Sequence, residues 1–184
     1  MKRIFMVFIT SIALFAFSIG ASAQTTSGDL TSSKAMKLAL SAREHFWSVM
    51  GGHNVKAENY FCSSRSFQNK GQYYRYFCSE FDTKTKLVNY MNEVFTLNAI
   101  DKAFKKYHFI VYKGKMAQPD ADGGSLADWK NAKAKLIYQR KDVRLYQFTV
   151  PVPIDNKIVE TFKQNVTFVK VRGKWQINDF DAVR

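Results

Sequence analysis

Histidine and proline each occur three times in this 184-residue sequence and cysteine only twice, and the shortages close off several kinds of function. A nucleophilic cysteine or serine needs a base within hydrogen-bond reach, and the chain offers only His45, His53 and His108. None stands in a telling context. His45 adjoins Phe46 in a helical run, His53 follows two glycines, and His108 ends a helical run where a cation suits the dipole. HExxH, GxSxG, a phosphate-cradling glycine loop and Cys/His metal spacing are all missing. Glu58, Glu80, Glu93 and Glu160 leave paired carboxylates for glycoside chemistry open, but nothing marks two of them as partners. No enzyme, cofactor or metal site is expected.

Acidic residues are also in short supply, 15 against 28 lysines and arginines. The only long apolar run, Ile4 to Ile19, sits at the N-terminus behind Lys2 and Arg3 and ahead of Ala21-Ser22-Ala23. That order predicts a secretory signal over residues 1–23, cleaved before Gln24. The run is short for a membrane span and lacks a stop-transfer charge, so no span is expected after cleavage. Loss of Lys2 and Arg3 leaves 26 basic against 15 acidic residues, a formal charge of +11 on 161 residues. A secreted chain this basic favours anionic partners such as cell-wall polymers, phospholipid headgroups or acidic proteins, with a merely soluble basic surface as the plain alternative. Export and the scattering of the lysines argue against nucleic acid.

What is present divides into early helices and late strands. Ala35, Leu38, Ala39, Ala42, Phe46 and Val49 share one helical face, with Ser32 or Ser33 as N-cap and Gly51 as stop. A second helical region begins near Asp82 or Thr83 and puts Leu87, Tyr90, Met91, Val94, Leu97, Ile100, Phe104 and Tyr107 on one face; a break near Thr96 stays open. From Phe109 the period shortens towards two in "FIVYKGKM", "AKAKLIYQ", "VRLYQFTVPV", "IVETFKQNVTFVKV" and "KWQINDF", with turns at "RKD", "PIDN" and "RGK". The expected fold is α+β, with N-terminal helices packed on a curved antiparallel β-sheet in a single domain over residues 32–184, behind a flexible leader over 24–31.

The two cysteines flank a turn in "YFCSSRSFQNKGQYYRYFCSEF". A three-residue hairpin loop with Gly71 in the left-handed position pairs residues whose numbers sum to 140. Cys62 and Cys78 then face each other, and an oxidising exterior favours their disulfide.

One stretch runs against the charge of the rest. Within "KGKMAQPDADGGSLADWK", Ala117 to Trp129 holds three aspartates and no basic residue. Asp120-x-Asp122 begins like a calcium loop, but Gly124, Ser125 and Asn131 stand where that loop needs a ligand, a glycine and a bidentate acid. An idle surface turn is the other plain reading. The stretch is long for a connection between strands, however, and long unstructured loops in compact domains are often functional.

Three runs, "AREHFWSVMGG", "YRYFCSEFDTKTKLVNYMNEVFT" and above all "YKGKMAQPDADGGSLADWKNAKAKLI", resemble the IseA family of secreted inhibitors of peptidoglycan DL-endopeptidases from Gram-positive bacilli. The likeness spans Ala35 to Trp175. It implies a non-enzymatic cell-wall protein that restrains NlpC/P60-type cysteine endopeptidases, which cut the D-glutamyl–diaminopimelate bond of the stem peptide during cell separation. It also implies an inhibitory loop, which falls by motif on Gln118, Pro119, Asp120, Ala121, Asp122, Gly123, Gly124 and Ser125. Asp120 and Asp122 at i and i+2 suit a role as mimics of substrate carboxylates. The glycines would let the backbone enter a narrow cleft. The rival is a basic wall-binding module without inhibitory action.

Overall fold

The computed structural model describes residues 29–56, 65–121 and 123–184. Helix α1 (Ser32–Gly51) buries Ala35, Ala39, Ala42, Phe46 and Val49, five of the six residues on the expected face. Its N-cap is Thr31, one residue before the expected serines, and the Thr31 hydroxyl accepts from the Lys34 amide. Gly52 ends the helix at φ 79°, a left-handed conformation that glycine takes without strain. Residues 29–31, expected as the end of a leader, are packed: Leu30 is buried, and the Asp29 carboxylate lies 2.8 Å from the Arg144 guanidinium.

The second helical region is two helices. α2 (Lys84–Asn92) and α3 (Leu97–Lys106) are separated by Glu93–Thr96, and Thr96 caps α3 with its hydroxyl. The break has a tertiary cause. Ile177 donates to the Val94 carbonyl and accepts from the Thr96 amide, so the linker pairs with a late strand instead of continuing as helix. One consequence overturns the continuous-face reading: Leu97 is 59% exposed.

The strands form two four-stranded antiparallel sheets, where the sequence suggested one. The first has the order β1-β2-β4-β3, from β1 (Ser66–Asn69), β2 (Gln72–Tyr76), β3 (Ile110–Tyr112) and β4 (Lys115–Pro119). The second is a meander of β5 (Lys133–Arg140), β6 (Val143–Ile154), β7 (Lys157–Val171) and β8 (Lys174–Ile177). One core joins helices and sheets into a single α+β domain, with Phe46, Phe81, Phe95, Trp129, Phe148, Phe168 and Phe180 among its largest side chains.

The β1–β2 hairpin differs from its expected register by one. Phe67 pairs with Tyr74 and Asn69 with Gln72, sums of 141, around a two-residue Lys70-Gly71 loop with both φ angles positive. Two left-handed residues match the twist of the flanking strands. The ladder also ends before the second cysteine: the Phe77 amide donates to the Met116 carbonyl and the Cys78 amide to the Gly52 carbonyl. Cys78 is disulfide-bonded, while Cys62, its expected partner, lies outside the described residues. Among the described residues no helix is long and apolar enough to cross a membrane.

Candidate functional site

The acidic stretch connects the two sheets, leaving β4 at Pro119 and reaching β5 at Lys133. Its ends are fixed by different means. At the first end, Gln118 is buried and its side-chain amide donates to the Met50 carbonyl at 3.1 Å, in the last turn of α1. The Arg75 guanidinium donates to that same carbonyl at 2.8 Å and to the Ala121 carbonyl at 3.4 Å. The Asp120 amide donates to the Tyr73 carbonyl at 2.9 Å, extending the β2–β4 pairing by one bond. Carbonyls in the last turn of a helix lack intrahelical partners, and here the loop's own anchors supply them.

At the other end, a 3₁₀ turn (Trp129–Asn131) seats Trp129 in the core against Phe148, ring centroids 5.4 Å apart. Asp128 caps this turn: one carboxylate oxygen accepts from the Asn131 backbone amide and the other from its side-chain amide at 2.7 Å. The Asn131 side chain, together with the nearby amides, holds the Asp128 carboxyl below its ordinary pKa. Both Asp128 oxygens are thus engaged in this cap. The Asp128 amide donates to the Pro151 carbonyl at 2.8 Å, tying the loop to β6. Arg43 on α1 reaches the Ala127 carbonyl at 3.3 Å and the Val183 carbonyl at 3.0 Å, and its burial lowers its pKa.

Between these anchors the chain is open to solvent. Asp120, Ala121, Gly123, Gly124, Ser125 and Leu126 are exposed, Leu126 at 67%. Gln118 and Pro119 thus belong to the anchored limb, Asp120, Ala121 and Gly123 to Ser125 form the presented part, and Asp122 lies outside the described residues. Asp120 already has a cationic neighbour, since its carboxylate lies 3.7 Å from Arg75. Neither Gly123 nor Gly124 adopts a positive φ. A Cβ at Gly123 would meet only the Trp47 ring at 3.8 Å, and one at Gly124 would meet nothing within 4 Å. Their smallness is therefore not a demand of the fold.

Two hollows flank the loop. One, of about 500 Å³, lies beneath it between Trp47, Met50, Arg75, Tyr107, Gly123 and Arg184. The other, of about 550 Å³, runs between α1 and the second limb, bordered by Leu40, Arg43, Glu44, Ala127, Asp128 and Lys130. Tyr107, at the first hollow, donates to the Asp181 carboxylate; burial first and that bond second raise its pKa well above the ordinary phenol range.

The histidine that adjoins the helical face is satisfied internally. His45 is buried, stacks on Tyr90 at 4.2 Å, and places its ring nitrogens 2.8 Å from the Ser41 carbonyl and 3.2 Å from the Glu93 carboxylate. Among the described residues no three His, Cys, Asp or Glu side chains converge as a metal site would require.

Arg75 and Arg43 escaped the sequence reading. Their carbonyl partners lie 25 to 140 residues away, and no local pattern marks them.

Comparison with known proteins agrees with the resemblance carried by the loop. The model of the IseA DL-endopeptidase inhibitor family matches residues 26–182. A protein of Bacillus subtilis (strain 168), described as "Uncharacterized protein YoeB", is 48% identical over 179 residues, covering 97% of both chains.

Proposed function

The chain belongs to the IseA DL-endopeptidase inhibitor family, and from that premise we propose that it inhibits NlpC/P60-type cysteine endopeptidases of the cell wall by placing the loop from Asp120 to Ser125 in their active-site cleft. The observation that carries this reading is the contrast along the loop: six exposed residues stand between a buried Gln118 and a buried Trp129. A segment fixed at both ends loses less conformational freedom on docking than a free one, so more of its contact energy is expressed as affinity.

An endopeptidase that cuts beside D-glutamate has to recognise substrate carboxylates. Asp120 and Asp122 supply carboxylates to the same donors, and Gly123-Gly124 lets the backbone follow them into the cleft. On this reading the protein is secreted after cleavage before Gln24, and its basic body associates with anionic wall polymer. There it restrains autolysis during cell separation.

The test is titration of the mature chain into a purified NlpC/P60 endopeptidase acting on purified peptidoglycan. Stoichiometric loss of stem-peptide cleavage is expected. A chain that binds walls but leaves every such enzyme fully active would instead be a basic wall-binding module.

A further inference from the structure

The longest strands in the molecule extend beyond the sheet that contains them. The β5–β6 ladder starts at Lys133 opposite Thr149, so from Val150 to Ile154 strand β6 is paired only with β7. Strand β8 pairs with Phe168 to Val171, far from this end. Val150 and Pro151 are buried at its root, so the free two-stranded ribbon runs from Val152 to Ile154, about 10 Å from three residues at about 3.3 Å each, closed by Asp155-Asn156 with both φ angles positive. On β7 every residue from Lys157 to Thr161 is exposed, so neither face of the ribbon is covered along that strand.

Three of its exposed side chains are large and apolar: Ile154 at 49%, Ile158 at 66% and Val159 at 57%. The edges, by contrast, are closed to strand addition. Pro151 and Pro153 have no amide hydrogen to give a further strand, a register shift falls between Val152 and Pro153, and Lys157 and Lys163 are exposed on β7. This ribbon is suited to docking through side chains and not through its backbone.

Its position identifies the occupant. The 2.8 Å bond from the Asp128 amide to the Pro151 carbonyl joins the ribbon's root to the second limb of the acidic loop, and exposed Leu126 lies two residues before that junction. The ribbon's root thus lies within two residues of the exposed part of the loop. We propose that the β6–β7 ribbon is a second contact arm, whose Ile154, Ile158 and Val159 pack on the rim of the endopeptidase domain that receives the loop. The inference rests on the inhibitor reading above. It divides the work between the two elements: charge on the loop recognises the cleft, and apolar area on the ribbon slows release.

The test compares the mature parent chain with an Ile158→Ser/Val159→Thr double variant and with Val111→Thr, an exposed apolar residue on β3 of the other sheet. Enzyme titration and dissociation rates are read in parallel. The ribbon variant is expected to weaken inhibition by about tenfold or more, mostly through faster dissociation, with Val111→Thr unchanged. Amide hydrogen exchange at residues 152–161 of the unmodified chain is expected to slow when enzyme is added, a readout that needs no substitution. A parent that inhibits, with equal inhibition by the ribbon variant and unchanged exchange in the ribbon, overturns the second arm and leaves the inhibitor reading intact. A parent that fails to inhibit overturns both. If the double variant loses only self-association in sedimentation, the occupant is a second copy of the chain and the proposal is wrong.

Discussion

The Arg75 guanidinium lies 3.7 Å from the Asp120 carboxylate while donating to the Met50 carbonyl at 2.8 Å, so one side chain joins the acidic loop to the end of helix α1. The ion pair is half exposed and contributes little by itself; the hydrogen bonds to Met50 and Ala121 fix the geometry. Arg75→Gln is expected to loosen the loop's first limb, seen as lower backbone order parameters at Asp120 and Ala121. It should weaken inhibition about fivefold, equivalent to ~1 kcal/mol. Tighter inhibition by this variant would mean that Arg75 withholds Asp120 from the enzyme.

Changing Asp120 and Asp122 together to Asn keeps shape and removes two charges, each worth roughly 1.5–3 kcal/mol in a charge-assisted contact. Inhibition should fall by at least about tenfold with the thermal midpoint nearly unchanged. Gly123→Ala/Gly124→Ala should also fold normally, because a Cβ at either position meets no close neighbour. Any inhibition that variant loses therefore reports crowding in the complex. Full inhibition by the double Asn variant would refute the carboxylate-mimic mechanism.

Acid should weaken the cap of the second limb. The folded pKa of Asp128 is lowered from 3.8, so its cap is fully present above that value and is lost as pH falls through the lower folded value. The Asn131 amide resonance should report this step, and Asp128→Asn should abolish it while still capping the turn. Inhibition should change far less in this variant than in the double loop variant. A step that persists in Asp128→Asn would belong to another group.

Protein recovered from culture medium is expected to begin at Gln24 and to carry a Cys62–Cys78 disulfide, stabilising the fold by roughly 3 kcal/mol. Intact mass before and after reduction measures both features. An unchanged mass on reduction would remove the disulfide without touching the inhibitor reading.

Binding to isolated anionic walls should weaken as salt rises, since surface attraction is screened over roughly 8–10 Å at physiological ionic strength. Loop variants should retain it. Retention unchanged in molar salt would indicate a specific glycan site instead.

Much of the architecture is local and therefore legible in the residues themselves. The spacing of Ala35, Ala39, Ala42, Phe46 and Val49 gives α1 its buried face, and those five residues are all in the core. The turn signals around Arg172-Gly173 and Asp155-Asn156 fall where the chain reverses with positive φ. The acidic stretch stands out because its charge opposes the rest of the chain, and it is the long connection between the two sheets. Tertiary contact decided the rest. Whether the helical run breaks at Thr96 depends on Ile177, whose strand takes up the linker's hydrogen bonds. The hairpin register turned on one residue of loop length, two arrangements that differ little in sequence signal. The loop's anchors, Arg75 to Met50, Gln118 to Met50 and Asp128 to Pro151, join residues 23 to 68 positions apart. Periodicity and turn chemistry act over a few residues, so they specify helices, strands and reversals; which side chain meets which distant carbonyl is set only when those elements pack.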